Sequence, residues 1–191
     1  MTHPDTEKGR VLVFGASGYI GTNLVERLGS SPHPLRASAR NRKVLEGRGW
    51  NGVERVEADA LKPETLAAAL RDVDVAYYLV HSMAAGHDFA RLDREAARNF
   101  RRAAARAGVR RIVYLGGLMP SEPESEHLRS RKETGDCLRE GEVPVTEIRA
   151  GMIVGPGSAA FEVIRDLVNH LPLMLTPRWV YSRSSPIALE N

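Results

Sequence analysis

Three glycines at three-residue spacing, Gly15, Gly18 and Gly21, interrupt the stretch VLVFGASGYIGTNLVERL at residues 11–28. The run before them is branched and apolar, and the run after them is amphipathic. Glycine at such a junction has no side chain; it clears room for a ligand to lie on the backbone. Gly15 permits the tight turn, Gly18 lets the main chain approach a pyrophosphate with no Cβ in the way, and Gly21 lets the next helix pack close to the strand. A helix N-terminus offers unpaired N–H groups and the positive end of a dipole, so phosphates would rest there. Ser17 adds a hydroxyl donor, and Tyr19 and Ile20 complete the turn into the helix. A glycine motif alone is weak. Placed after the first strand of an alternating chain, it reads as a dinucleotide site.

A second set of residues bears on which dinucleotide. Where the ribose 2′-hydroxyl is recognised, a carboxylate about 20 residues past the glycines accepts its hydrogen bond. Where a 2′-phosphate is recognised, an arginine stands nearby. After PLRASA at 34–39 this chain carries Arg40-Asn41-Arg42-Lys43 and no carboxylate. Guanidinium groups bind phosphate in a bidentate way, so NADP(H) is favoured over NAD(H). Arg40 is the main candidate, with Asn41 beside it and Arg42 or Lys43 assisting; the competing reading is a basic helix start on the surface.

A third set could move a proton. His127 and His81 carry the group that titrates nearest neutrality, and Arg131 lies one helical turn after His127. A guanidinium there could hold a ribose or phosphate and would push the histidine toward its neutral form. The alternative for His127 is a surface residue on a polar helix start. No HExxH or CxxC pattern is present, so no metal site is expected. Neither a GxSxG elbow nor the Gly-Lys-Ser/Thr ending of a P-loop occurs.

These residues need elements to position them. Strand-like runs fall at 10–14, 34–39, 52–58, 73–80, 110–116 and 143–150, with helical patterns at 18–30, 41–47, 63–71, 86–107 and 124–140. Pro63 and Glu64 suit the first turn of the third helix, and Ala107-Gly108 suits the stop of the long one. Strand–helix alternation of this kind predicts an α/β fold, a Rossmann-type doubly wound parallel sheet with helices on both faces. Such a sheet binds ligands at the carboxyl ends of its strands, here across the tips of the first and fourth. A helix is also expected at 158–170, and the end Ile187-Ala-Leu-Glu-Asn191 reads as the first turn of another. The domain plan is a disordered or extended N-terminus over 1–9, an NAD(P)-binding domain over 10–157, and the start of a truncated substrate-side segment over 158–191.

Composition narrows the classes. The chain has 191 residues, 42% hydrophobic and 27% charged, which suits one soluble domain with a small addition. No apolar run is long enough to span a bilayer, and residues 1–10 lack the apolar core of a signal peptide. A single cysteine, Cys137, forbids an internal disulfide; it reads as a small helix residue in a cytoplasmic protein. Arg91, Arg94, Arg98, Arg101, Arg102 and Arg106 share one helical face, opposite Phe89, Leu92, Ala96, Phe100, Ala103 and Ala107. Without interleaved aromatics this is a solvated face or part of a subunit contact, not a nucleic-acid surface.

Beyond these derivations, the chain resembles the atypical short-chain dehydrogenase/reductase superfamily, specifically its NmrA-like members with an NAD(P)-binding domain. The resemblance rests on VFGASGYIG at 13–21, EADA at 57–60, YYLVHSM at 77–83, RNFRRAAARAGVRRIVYLGG at 98–117 and IRAGMIVGPGS at 148–158. It implies that Asp59 contacts the adenine amino group with Ala60 beside it, and that Leu79, Val80 and His81 line the cofactor; Asp59 as a turn or capping residue is the alternative. Reductases of this superfamily use a serine after the fifth strand and a Tyr-x-x-x-Lys pair on the next helix. This chain departs at all three places: Gly116-Gly117 stands at the serine site, His127 at the tyrosine and Arg131 at the lysine. Asn99 matches an asparagine that organises the site in relatives, or makes a structural hydrogen bond.

Two functions follow from this reading. The first is an NADP(H)-dependent oxidoreductase or sugar-nucleotide-epimerase-like enzyme acting on a small carbonyl or hydroxyl compound near His81, Gly117 and His127. The second is a non-catalytic dinucleotide-binding redox sensor or assembly factor, which the missing serine, tyrosine and lysine favour. A small-molecule substrate and a homo-oligomer are the expected partners, without nucleic acid or membrane.

Overall fold

The structure, a computed structural model, describes residues 9–81, 88–118, 125–170 and 185–191. The expected N-terminal extension over 1–9 and the Ser82-Met83 pair therefore lie almost wholly outside the described residues. The chain divides into two compact units, Met1–Ile148 and Arg149–Asn191.

The sheet is laid down in chain order by β1 (Arg10–Phe14), β2 (Leu35–Ala39), β3 (Val53–Glu57), β4 (Val73–Tyr78), β5 (Arg111–Gly117) and β6 (Val145–Ala150). Its spatial order is β3-β2-β1-β4-β5-β6, with parallel pairing from β3 through to β5. The order reverses between β1 and β4, so a crevice opens at their carboxyl ends. Helices α1 (Tyr19–Leu28), α2 (Arg42–Glu46), α3 (Pro63–Leu70), α4 (Phe89–Arg106) and α5 (Glu126–Arg139) fill the crossovers. Each predicted strand and helix of this sheet appears, most of them shortened at an end, with β1 unchanged and β5 running one residue further than expected.

Both faces of the sheet are covered. Val25 of α1 and Leu45 of α2 pack with Val13, Ala37 and Trp50 on one side. Leu66 of α3, Ala97 and Phe100 of α4 and Leu138 of α5 pack with Leu12, Ala76 and Ile112 on the other. Phe14, Tyr78 and Phe100 interlock there, Phe100 lying 4.8 Å from each of the other two ring centroids. Double-sided burial explains why β2 is buried along its whole length.

The arginine face of α4 has two uses. Arg91, Arg98, Arg102 and Arg106 are exposed, whereas Arg94 pairs with Glu133 of α5 and Arg101 donates to the Cys137 carbonyl at 2.7 Å. Cys137 is buried in α5.

In the second unit, α6 (Ala159–His170) forms as expected. The chain end does not. Ile187–Ala188 is a short strand, β8, paired in parallel with β7 (Ile153–Val154). The backbone explains the correction, because the Ile187 and Leu189 N–H groups donate to the Met152 and Val154 carbonyls at 2.9 Å. Pairing with β7 holds this backbone extended, which a helical turn cannot be. No helix among the described residues is long and apolar enough to cross a membrane.

Candidate functional site

Gly15 makes the tight turn and Gly21 the close helix packing that their spacing predicts. Gly15 has φ +99°, and a Cβ there would lie 3.0 Å from the Leu79 carbonyl oxygen. Its N–H and that of Ala16 both donate to the Ser38 carbonyl, at 3.0 and 2.9 Å, fastening the turn to β2. A Cβ on Gly21 would sit 2.3 Å from the Gly15 oxygen, so α1 leans directly on the loop. Gly18 is different: it precedes α1 without a side-chain cap, and the nearest atom to an added Cβ is 3.5 Å away. A bare, uncapped helix start between two tightly packed glycines is a fit for phosphate.

The pocket beside it is assembled from five stretches of chain: Gly15, Ser17 and Gly18 from the loop, Arg40 after β2, Asp59 and Ala60 after β3, Leu79, Val80 and His81 after β4, and Asp93 from α4. The residues read from the sequence thus come together here. Others lie to the side. Gly21 is the packing surface under the loop, and the Tyr19 hydroxyl is buried without a partner among the described residues. Asn41 caps α2, its Oδ1 accepting from the Lys43 N–H at 3.0 Å. Asp59 holds its own turn as well as lining the pocket, because Oδ1 accepts from the Leu61 N–H at 3.0 Å. Asn99 donates to the Ala60 carbonyl at 2.9 Å, tying that turn to α4.

At the far end stand the imidazoles. His81 and His127 meet edge to face with ring centroids 5.7 Å apart. Burial, then the Arg131 charge, lowers the His81 pKa to about 4, against an opposing pull from Asp93. His127 is lowered by the same two causes. Both rings are therefore neutral at pH 7, and His81 Nδ1 is buried without a hydrogen-bond partner among the described residues. Arg131 is anchored by donating to the Leu115 carbonyl at 2.9 Å, and its own carbonyl accepts from the Tyr114 hydroxyl at 2.9 Å.

Sequence reasoning missed Asp93 and Ser130. Both are buried, and Ser130 Oγ donates to Asp93 Oδ2 at 3.0 Å, joining α4 to α5 at the pocket wall. A signal was present: Asp93 lies on the stripe of Ala96, Ala97 and Phe100, where an acid is out of place. The position where the resemblance implies a serine is faced by the tip of a side chain. A Cβ on Gly116 would fall 2.5 Å from Glu147 Oε1, which reaches across from β6.

Residues 15–158 match the family model described as NAD(P)H-binding. A (4-alkanoyl-5-oxo-2,5-dihydrofuran-3-yl)methyl phosphate reductase from Streptomyces griseus is 32% identical over 171 residues, covering 85% of this chain and 57% of the reductase. The chain thus spans little more than half the length of that relative. Among solved structures, DesIV, a dTDP-glucose 4,6-dehydratase from Streptomyces venezuelae with NAD bound, superposes with TM-score 0.77 at 19% identity, covering 95% of this chain and 68% of that one. A mutant NmrA superposes with TM-score 0.62 at 19% identity, covering 78% of this chain and 46% of that one. These two likenesses establish the fold.

Proposed function

The chain belongs to the NAD(P)H-binding family, and from that premise we propose that it is an NADP(H)-dependent oxidoreductase or epimerase-like enzyme for a small carbonyl or hydroxyl substrate. The observation that carries this reading is a single pocket running from the bare Gly18 helix start, past exposed Arg40, to His81. A bound nicotinamide dinucleotide supplies hydride chemistry. The chain's own residues supply the rest. Gly15, Ser17 and Gly18 seat the pyrophosphate, Arg40 pairs with a 2′-phosphate, and Asp59 and Ala60 border the adenine. Neutral His127, with His81 at its edge, accepts a proton from a substrate hydroxyl in the oxidising direction and returns it in the reducing one. Burial, then the Arg131 charge, keeps both imidazoles deprotonated at rest and so able to accept a proton.

The reductase relative favours an enzyme. Glycine at position 116, where the resemblance implies a serine, favours the second reading, a non-catalytic dinucleotide-binding sensor or assembly factor.

Calorimetric titration with NADPH and NADH, repeated on Arg40→Ala, tests the proposal. Tighter NADPH binding that falls at least tenfold in the variant supports it, and a substrate screen with His127→Ala as control follows. Equal binding of both cofactors would remove the NADP(H) preference. If neither cofactor bound, the partner-binding reading would lead.

A further inference from the structure

The end of β2 has no carboxylate in its sequence, yet the fold brings one to it. Parallel pairing sets Glu57, at the end of β3, opposite Ala39 of β2. From there Glu57 Oε2 accepts from the Arg42 N–H at 3.2 Å, on the segment that turns from β2 into α2. The Lys43 N–H is taken by Asn41 at 3.0 Å, and Arg42 Nε donates to Glu46 at 2.9 Å. Much of the Arg40–Lys43 cluster is therefore already engaged within the chain. Arg40, exposed and lining the pocket, has no ion-pair partner among the described residues.

We propose that Glu57, which flanks the pocket-lining Ala39 and Ala58 without lining the pocket itself, is a specificity-determining residue: its carboxylate favours a ribose 2′-hydroxyl and opposes a 2′-phosphate seated beside Arg40. The proposal rests on the cofactor reading above. A carboxylate accepts from a hydroxyl as readily as from an amide N–H. A phosphate monoester carries about −1.5 to −2 charges at pH 7, so the same carboxylate repels it. Glu57 is exposed, which makes the repulsion modest and sensitive to salt. At several ångströms through water-like surroundings one opposing charge is worth on the order of three- to tenfold in affinity. Arg40 and Glu57 thus pull in opposite directions, and the chain's selectivity is their difference rather than the effect of the arginine alone.

Glu57→Gln separates charge from shape, because the amide oxygen still accepts from the Arg42 N–H. Titrations with NADPH and NADH at low and at 0.5 M salt are expected to show NADPH binding roughly three- to tenfold tighter in the variant. NADH is expected to bind equally or slightly more weakly, and the NADPH gain shrinks at high salt. An unchanged NADPH-to-NADH ratio overturns the proposal, as does an equal change in both affinities, which would mark Glu57 as a purely structural support of α2. Should Glu57→Gln melt early, Glu57→Thr removes the same charge and must widen the same ratio. Failure of the unaltered chain to bind either cofactor overturns the cofactor reading itself. Retained binding with a fixed ratio overturns only the role of Glu57.

Discussion

At the Gly15–Gly21 end the pocket is made of main chain, whereas at the other end it is lined by His81 and Asp93, with side chains of α5 packed behind them. The first is held by steric necessity: a Cβ at Gly15 or Gly21 meets backbone that cannot move aside. The second is held by burial and charge, with Asp93, Ser130, His127 and Arg131 contributed by two helices that meet only in the folded state. Steric sites fail abruptly when altered, and electrostatic ones shift by degrees. The two ends should therefore respond to substitution in different ways.

Gly21→Val is the severest test. Its Cβ would lie 2.3 Å from the Gly15 oxygen and 2.8 Å from Ala16 Cα, so the loop must move away from α1. Dinucleotide affinity is expected to fall by about 100-fold or more with a lowered melting temperature, read by titration and circular dichroism. Near-normal binding would show that the main-chain end is more pliable than its packing implies.

The imidazole end is expected to answer to pH. The folded His81 pKa, about 4, lies below its unfolded value near 6.5. The unfolded chain binds more protons between those values, so stability is full above pH 6.5 and is lost as pH falls toward 4. The loss is at most about 3 kcal/mol, less to the extent that water reaches the ring. His81→Asn should flatten that part of the stability–pH curve, measured by urea denaturation at stepped pH. His127, lowered in the same direction, should leave a residual slope.

Gly116→Ser restores the residue type that the family uses, and it is expected not to restore function. The new Cβ meets Glu147 Oε1 at 2.5 Å, and Glu147 is itself ion-paired with Arg139. Because Oε1 is the movable tip of Glu147, the cost is limited to disturbing its pair with Arg139, about 1 kcal/mol or less in thermal or urea melts, with no gain in any hydride-transfer assay. A stable variant with gained turnover would show that the second end is as permissive as the first is strict.

The glycine end was legible because its information is contiguous: strand, turn and helix within residues 11–28 fix its geometry. The helix–strand alternation was legible for the same reason, since its periods are local. Arg36 was not. It reads as one residue of the strand-like run at 34–39, yet it is buried, donates to the Ala68, Ala69 and Arg71 carbonyls, and so closes the C-terminus of α3. Asp93–Ser130 and Glu57–Arg42 are invisible for the same reason, each joining residues from separate elements. His81 and His127 could be named one by one, but not as a pair in contact. At Ile187–Asn191 the local pattern pointed to a helix, and pairing with β7 overrode it.

Asn99 gives a small expected effect and the sharpest division between the two ends. It lies on the helix that carries Asp93, yet its amide reaches the Ala60 carbonyl at 2.9 Å, on the pocket-lining turn proposed to border the adenine. If the ends are independent, Asn99→Ala loosens only that turn. One lost hydrogen bond to a half-buried carbonyl is worth about 1 kcal/mol, roughly fivefold in dinucleotide affinity. The His81 and His127 titrations, followed by the NMR shifts of their ring protons, should stay in place, because neither ring touches the lost bond. Movement of those shifts in Asn99→Ala would mean that α4 couples the two ends, and that a dinucleotide settling at the adenine side resets the imidazoles beyond it.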